Sequence, residues 1–257
     1  MHTHAWPEKV SGKARENLEV SFRVRLVGEP TLVTLLKFMQ KNEVDLSVVC
    51  SVATRPEQVP GINDWLFSVR SERIKVFCSL HPDYPLWQQE LQRIKANGDG
   101  IKLQPEFQNF YADEERVYPI YEEIEKLGLP LLFHCGQELS GTQLVRSSPE
   151  RILKLRVKFP HLKIIAAHFG GFRLWEEVKK YLLGQDIYLD TSFFFDYLPR
   201  QEIQAMLLAH PEDKVLFGTD FPLVDQQKDI SFLRALEIPA ALKERIFSLN
   251  ARKLLGV

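Results

Sequence analysis

The stretch Gly128-Leu-Pro-Leu-Leu-Phe-His134 contains the signals that decide the fold: a helix stop, a short apolar run and a polar residue where that run ends. Glu114–Leu127, just before it, has a helical pattern, and Gly128 followed closely by Pro130 is a strong signal for the end of a helix. Leu129–Phe133 is typical of a strand buried on both faces, as in parallel sheets covered by helices. The stretch therefore predicts a helix, then a buried strand that ends in a histidine.

The same unit recurs along most of the chain. Predicted strands are Leu46–Val52, Ile74–Leu80, Gly100–Gln104, Leu129–Phe133, Leu162–Ala167, Ile187–Asp190 and Lys214–Gly218. Predicted helices are Thr31–Lys41, Val59–Ser71, Leu86–Ala96, Glu114–Leu127, Pro149–Phe159, Trp175–Leu183 and Pro199–Ala209, with helical segments following to the C terminus. One more strand at the N terminus makes these units the eight of an α/β fold, a (β/α)8 TIM barrel. Ala5–Glu29 is predicted to be irregular.

The length and composition are those of one globular enzyme domain. The chain has 257 residues, 45% of them hydrophobic, with 33 basic and 34 acidic residues and a formal net charge of −1. This excludes disordered, collagenous and coiled-coil classes, and about 250 residues is the usual size of an α/β barrel. We therefore expect residues 1–257 to form a single TIM-barrel domain.

The same features restrict partners and location. The balanced charge gives no reason to expect nucleic acid, and no apolar run reaches the roughly 18 residues that cross a bilayer. The N-terminal sequence lacks the apolar run of a secretory signal, and the three cysteines form no C-x-x-C pair. We expect a cytoplasmic protein with a small-molecule substrate, without membrane or nucleic-acid binding, and the sequence permits a homodimer.

Polar residues lie at the ends of several predicted strands. His2 and His4 are two apart, so on a strand both point to the same face. His134, His168 and Asp220 each follow a different apolar run. In an α/β barrel the carboxyl ends of all strands meet at one mouth, so these five side chains are expected to share a pocket.

Imidazole and carboxylate groups in this number are suited to a catalytic zinc ion. Each residue alone has an ordinary explanation: a surface His-x-His pair, a hydrogen-bonded histidine entering a helix, or a turn or helix cap for the aspartate. The joint pattern favours a metal, because its members fall at the same end of four different strands.

At this point the sequence resembles the amidohydrolase superfamily, and more narrowly the metal-dependent hydrolase group (amidohydrolase-2) that includes aminocarboxymuconate-semialdehyde decarboxylase. The matching segments are His2-Thr-His4, Gly100-Ile-Lys-Leu-Gln-Pro105, Leu131-Leu-Phe-His134, Ala167-His168-Phe-Gly-Gly171 and Gly218-Thr-Asp220-Phe-Pro222. They span nearly the whole chain in the family's order. Family members usually have several apolar residues before the His-x-His pair, where this chain has only Met1. Either the first strand is very short, or the true start of the chain lies upstream of Met1.

The resemblance implies a role for each matching residue. His2, His4, His134 and Asp220 would hold one divalent metal, most simply zinc, with a second metal as the alternative. His168 would be the catalytic histidine beside a metal-bound water, and Asp220 would share its proton. Bound zinc lowers the pKa of its water towards about 7, which supplies hydroxide at neutral pH.

Lys102 and Arg23 are two further candidates for the site. In two-metal relatives a lysine at the position of Lys102 is carboxylated and bridges the ions, with His134 and His168 binding the second metal. We favour an unmodified lysine that pairs with a carboxylate or binds an acidic substrate. Arg23, with Arg25, could clamp a substrate carboxylate, although a solvated charge cluster is the favoured interpretation.

Three classes of function fit this reading. The leading one is a metal-dependent hydrolase of a small carboxylated or cyclic substrate, and the alternative within the superfamily is a non-oxidative decarboxylase. A TatD-like nuclease fits less well, because Gly98-Asp-Gly-Ile-Lys-Leu103 lacks that group's glutamate ligand and the charge is near neutral. A catalytically idle binding barrel is the third class, and substrate selection is expected from loops at the mouth, chiefly Ala5–Glu29 and Pro105–Asp113.

Overall fold

The computed structural model describes residues 2–141 and 144–257. Within these ranges one eight-stranded parallel sheet has its strands in chain order. The strands are β1 His2–His4, β2 Ser47–Cys50, β3 Ile74–Ser79, β4 Gly100–Leu103, β5 Leu131–Phe133, β6 Ile164–Ala166, β7 Tyr188–Asp190 and β8 Val215–Leu216. The predicted TIM barrel is confirmed.

Helices alternate with these strands and cover the outside of the sheet. They are α1 Glu8–Phe22, α2 Leu32–Lys41, α3 Val59–Val69, α4 Trp87–Asn97, α5 Pro105–Gln108, α6 Tyr118–Leu127, α7 Pro149–Lys158, α8 Trp175–Tyr181, α9 Arg200–Ala209, α10 Gln226–Ala235, α11 Ala240–Glu244 and α12 Asn250–Leu255. Short 3-10 turns lie at Pro56–Gln58, Glu115–Val117 and His168–Gly170, and a π-helical turn at Arg245–Leu249. No helix among the described residues is long and apolar enough to span a membrane.

The first strand has three residues, all of which pair with a neighbouring strand, and it closes the barrel. On one side β1 pairs with β2, with His2 beside Val48 and His4 beside Cys50. On the other side Thr3 forms a parallel bridge to Phe221, and the His4 N–H donates to the Phe221 carbonyl over 2.6 Å. The expectation of a very short first strand is therefore correct, and three residues are enough to join both neighbours.

The sheet register determines which side chains enter the barrel. Neighbouring residues in parallel register point to the same face, so His2 and His4 share a face with Val48 and Cys50. Lys102 is in register with Leu132 in the same way. Val48, Cys50 and Leu132 belong to a small buried apolar cluster inside the barrel. The two histidines and the lysine thus lie above an apolar floor.

Two predicted loops are partly helical, which corrects the sequence interpretation. Within Ala5–Glu29 the chain forms α1, a 15-residue helix with Ser11 as its one buried residue. Its sequence contains many charges and Gly12, and its row of apolar residues, Val10, Ala14 and Leu18, is narrower than the apolar stripe that normally reveals a helix. Within Pro105–Asp113, α5 forms a single turn that starts at Pro105, a residue suited to the first helical position.

Candidate metal centre

His2 and His4 turn the same ring nitrogen towards each other. Nδ1 of His4 lies 2.8 Å from the carbonyl oxygen of Cys50, and Nδ1 of His2 lies 3.0 Å from Oδ2 of Asp190. Both partners are acceptors, so each Nδ1 carries the proton and each Nε2 has a free lone pair. The two Nε2 atoms are 3.2 Å apart. Burial, together with the nearby Lys102, lowers the pKa of His2, which keeps its ring neutral.

Asp220 adds a third acceptor atom at the same point. Its backbone N–H donates to the His2 carbonyl over 2.9 Å, which places the carboxylate beside the two rings. Oδ1 of Asp220 lies 3.0 Å from Nε2 of His4 and 3.7 Å from Nε2 of His2. This oxygen is buried and has no hydrogen-bond partner among the described residues.

These three atoms are better placed to bind a metal ion than to form hydrogen bonds with one another. Two lone pairs and a carboxylate oxygen face each other at 3.0–3.7 Å, and the neutral rings have no proton left to place between them. A buried acceptor without a donor is costly, whereas a divalent cation is the natural partner of imidazole nitrogen and carboxylate oxygen. His2, His4 and Asp220 could therefore hold such an ion.

Asp190 and Ser192 support this group, and the sequence interpretation gave neither a role. Oδ1 of Asp190 accepts hydrogen bonds from the backbone N–H groups of Ser192, over 3.0 Å, and of His168, over 3.2 Å. The Ser192 hydroxyl also donates to this oxygen, and Ser192 Oγ lies 3.0 Å from Nδ1 of His168. The signal available for Asp190 was its position as the last residue of β7, because other residues of the site also lie at the ends of strands.

His134 and His168 form a second group next to the first. Nε2 of His168 lies 3.0 Å from Nδ1 of His134, and Nε2 of His134 lies 3.1 Å from Oε1 of Glu138. The structure thus places His134 with His168, Glu138 and Glu106 rather than in the group formed by His2, His4 and Asp220. Burial and the neighbouring His134 hold the pKa of His168 well below its usual value, so its ring is neutral.

Glu138 is a buried carboxyl group that sequence patterns did not reveal. Burial raises its pKa to about 7, and Oε1 accepts a 2.7 Å hydrogen bond from Gln104 Nε2. The loop that carries Glu138 is tied to the loop after β6 by a backbone bridge between Gly136 and Phe172. Its spacing of four residues from His134, outside any helix, gave no recognisable signal.

Lys102 lies inside the barrel beside the first histidine. Its side chain is 1% exposed, and Nζ is 3.3 Å from Nε2 of His2. This position is deep enough to reach a metal or a substrate group held by the histidines.

A cavity of about 710 Å³ opens above these residues. His2, His4, Lys102, His134, His168 and Asp220 line it. Its walls are largely aromatic and aliphatic, formed by Trp6, Phe22, Trp65, Phe107, Phe172 and Phe193 among others. Helix α1 and Phe107 of α5 supply part of the wall, so both segments expected to select the substrate do border the cavity. Concave, mainly apolar sites of this size with a few convergent polar groups are typical of small-molecule binding.

Arg23, which the sequence offered as a substrate clamp, lies elsewhere, and so do the polar residues His81 and Tyr111. Arg23 is exposed at the left-handed C-terminal cap of α1 and is not among the residues that line the cavity. His81 accepts a hydrogen bond from the Asp83 N–H over 3.1 Å, which is a turn contact. Tyr111 also lies outside the cavity, with the guanidinium groups of Arg146 and Arg151 over its ring.

A barrel with imidazole and carboxylate groups gathered at the carboxyl ends of its strands defines a class, the metal-dependent TIM-barrel enzymes. The family model described as amidohydrolase matches residues 1–257, and the chain belongs to this metal-dependent family. The expected relationship to the amidohydrolase-2 group is thereby confirmed.

Solved structures with the same fold include several decarboxylases. One is 5-carboxyvanillate decarboxylase from Sphingomonas paucimobilis, at TM-score 0.77 and 15% identity, with coverage of 100% of this chain and 98% of that chain. Another is 2,6-dihydroxybenzoate decarboxylase from Rhizobium, at TM-score 0.73 and 19% identity, covering 99% and 97%. A third is a dihydroxybenzoic acid decarboxylase from Polaromonas sp. with bound manganese and 2-nitroresorcinol, at TM-score 0.74 and 17% identity, covering 99% and 95%. A search of curated protein sequences returns no significant match.

Proposed function

We propose that this protein is a metal-dependent, non-oxidative decarboxylase of a small aromatic or similarly planar carboxylic acid. The observation that carries the proposal is the convergence of the Nε2 atoms of His2 and His4 with Oδ1 of Asp220 at the base of an aromatic cavity. This revises the order of the sequence-based hypotheses, in which hydrolysis came first. The revision is supported by the decarboxylases of similar fold, which are named for hydroxylated benzoates.

The reaction requires a Lewis acid and a proton carrier at the site. A bound divalent metal would act as a Lewis acid that holds the substrate's carboxylate and an adjacent oxygen. The bond between the ring carbon and the carboxylate carbon breaks, carbon dioxide leaves, and the electron pair stays on the ring carbon. That carbon then takes up one proton, so a proton carrier must lie within reach of it.

His168 is the residue that we assign to proton transfer. Its ring is neutral, lines the cavity, and is held at Nδ1 by Ser192 Oγ over 3.0 Å. With Nδ1–H donating to that oxygen, the lone pair of His168 is on Nε2, which accepts from Nδ1 of His134 over 3.0 Å and would exchange that hydrogen bond for the transferred proton. Asp220, whose carboxylate also lines the cavity, is the second candidate for this step while it remains a metal ligand. The aromatic walls keep bulk water from competing for the proton.

The identity of the metal is part of the proposal. Histidine and carboxylate donors bind zinc well, and manganese is bound in the similar dihydroxybenzoic acid decarboxylase. We propose one divalent ion per chain, zinc or manganese, held by His2, His4 and Asp220, with His134 as a fourth ligand after a small ring movement. Elemental analysis of purified protein identifies the ion.

The test of the function is a product analysis on metal-loaded protein. We would incubate it with 2,6-dihydroxybenzoate and 5-carboxyvanillate, and separately with aromatic esters and lactones. Carbon dioxide released in equal amount to the decarboxylated phenol is the expected result. It should disappear in His4→Ala and persist in His81→Gln, a matched control because His81 lies in a turn outside the cavity lining.

Other outcomes contradict the proposal. Ester or lactone cleavage without carbon dioxide would instead identify a hydrolase. Salt-sensitive cleavage of DNA would favour the nuclease interpretation. A protein that holds its metal and leaves every substrate intact would favour a binding barrel.

A further inference from the structure

One side of α1 faces the cavity. The residues that it contributes follow helical spacing along a single face: Lys9, Val10, Lys13, Ala14, Asn17 and Leu18. Lys9 and Lys13 are exposed, so they border the open end of the cavity, whereas the metal-binding atoms are buried at its base. The cavity therefore has two chemically different ends, separated by apolar walls.

The two lysines have no direct ionic partner. Among the described residues, neither Lys9 nor Lys13 has an ion pair or a side-chain hydrogen bond. Glu8 and Glu16 on the same helix are also without an ion pair among these residues, but neither of them lines the cavity. Arg15, on the same helix, contacts Glu29 and is 3.3 Å from Glu19.

An acidic residue that also lines the cavity is neutralised by its own neighbour. Oε1 of Glu57 lies 3.2 Å from Nε of Arg55. With Glu57 paired, Lys9 and Lys13 are the charged lining residues of α1 that remain free to meet a ligand. Such a pair of cations attracts an anionic group on any ligand that extends this far.

The size of the cavity indicates that a ligand does extend this far. A volume of about 710 Å³ lies in the upper part of the range for drug-sized ligands, and a one-ring acid bound at the base would leave much of it empty. The apolar residues between the two ends, such as Val10, Leu18 and Trp65, are suited to an aromatic or aliphatic body. The lining thus matches a molecule with acidic groups at both ends.

We propose that Lys9 and Lys13 form a distal anion subsite, so that the preferred substrate is an elongated planar acid with a second anionic group remote from the metal. This inference rests on the proposed function for the identity of the reacting end. The distal selectivity itself is a binding property and can be measured without turnover.

The test compares two probes that differ by one distal carboxylate, biphenyl-4-carboxylate and biphenyl-4,4′-dicarboxylate. Calorimetric titration of metal-loaded protein at low salt should show the dicarboxylate binding about tenfold more tightly, as expected for two weak exposed pairings. The preference should shrink as salt screens the exposed charges. The double variant Lys9→Gln/Lys13→Gln should bind both probes equally and keep the wild-type affinity for the monocarboxylate.

A matched control comes from α2. Lys37 and Lys41 have the same spacing of four residues, are exposed and do not line the cavity, so Lys37→Gln/Lys41→Gln should keep the full preference. Equal affinity of the wild type for both probes overturns the subsite, and so does an equal loss of preference in the control variant. If the protein prefers the dicarboxylate but releases no carbon dioxide from any substrate, the proposed reaction is wrong and the proposed subsite is still supported.

Discussion

Oδ2 of Asp190 lies 3.0 Å from Nδ1 of His2, while Oδ1 of the same carboxylate accepts the backbone N–H of His168. One side chain therefore holds both a proposed metal ligand and the loop that carries the proposed proton carrier. Burial opposes its ionisation, but His2 and Ser192 outweigh burial and hold the pKa of Asp190 below its usual value. The carboxylate is consequently charged at neutral pH and orients the imidazole, as acceptors behind metal-binding histidines commonly do.

We expect Asp190→Asn to weaken metal binding by about 10- to 100-fold, because a neutral amide holds Nδ1–H of His2 less firmly than a carboxylate does. Competition with a chelator of known affinity measures the change. Asp196→Asn is the control, since Asp196 is exposed and pairs with Lys228 at the surface. Equal metal affinity of Asp190→Asn and wild type would contradict the orienting role.

His168→Asn should keep the metal and lose most turnover, by a factor of about 100 or more, because a proton carrier typically contributes that much. The measurements are metal content and kcat on the best substrate found in the product analysis. A variant with full activity would remove His168 from the mechanism.

Lys102 should be an unmodified lysine in a site with one metal. We expect about one metal ion per chain after loading, and no carbamate signal in carbon-13 NMR of protein equilibrated with labelled bicarbonate. Its position 3.3 Å from Nε2 of His2 is compatible with an ammonium group directed at a substrate oxygen. Two ions per chain together with a carbamate signal would instead establish the bridging role.

The sequence was sufficient for the barrel and for which strand ends carry polar groups, because both depend on patterns that repeat along the chain. Helix α1 was missed because the apolar row on its cavity-lining side, Val10, Ala14 and Leu18, is narrow and lies among charged residues. Asp190 offered only its position at a strand end, and Glu138 offered no signal, because a buried carboxyl group is otherwise recognisable only from its partners. Those partners, His2 and His134, are brought close by the fold in the first case and by an irregular loop in the second.

His210 should make the protein sensitive to mild acid. Its ring is buried and donates from Nε2 to the Ile187 carbonyl over 2.8 Å, and burial lowers its pKa from 6.5 to about 4. The unfolded chain binds the proton first, so stability is complete above pH 6.5 and falls as the pH decreases towards 4, by on the order of 3 kcal/mol.

Urea denaturation at pH 7.5 and pH 5 tests this dependence. His210→Gln should lose less stability between the two pH values than the wild type, since glutamine can donate the same hydrogen bond without a proton to gain. His161→Gln, at an exposed position, should behave like the wild type. An unchanged pH dependence in His210→Gln would show that other groups are responsible.

Gly136→Ala should destabilise the loop that carries Glu138. Gly136 has φ of 95°, and an added Cβ would lie 2.2 Å from the backbone nitrogen of Phe172, which cannot move independently. We expect a loss of several kcal/mol or failure to fold, measured by thermal denaturation. Gly141→Ala is the control, with a similar φ of 81° but open space at Cβ. Equal stability of the two variants would show that the steric contact is unimportant.

The bridge between Thr3 and Phe221 is where the two ends of the sheet meet. The proposed metal ligands of β1 and Asp220 lie next to this junction. During synthesis the first strand leaves the ribosome long before its second neighbour exists, so these donors cannot assemble on the growing chain. Capture of the proposed metal ion would therefore follow release of the C-terminal segment. An ion that bound only the closed barrel would stabilise the folded state, and its free concentration would set the fraction of newly made chains that remain closed.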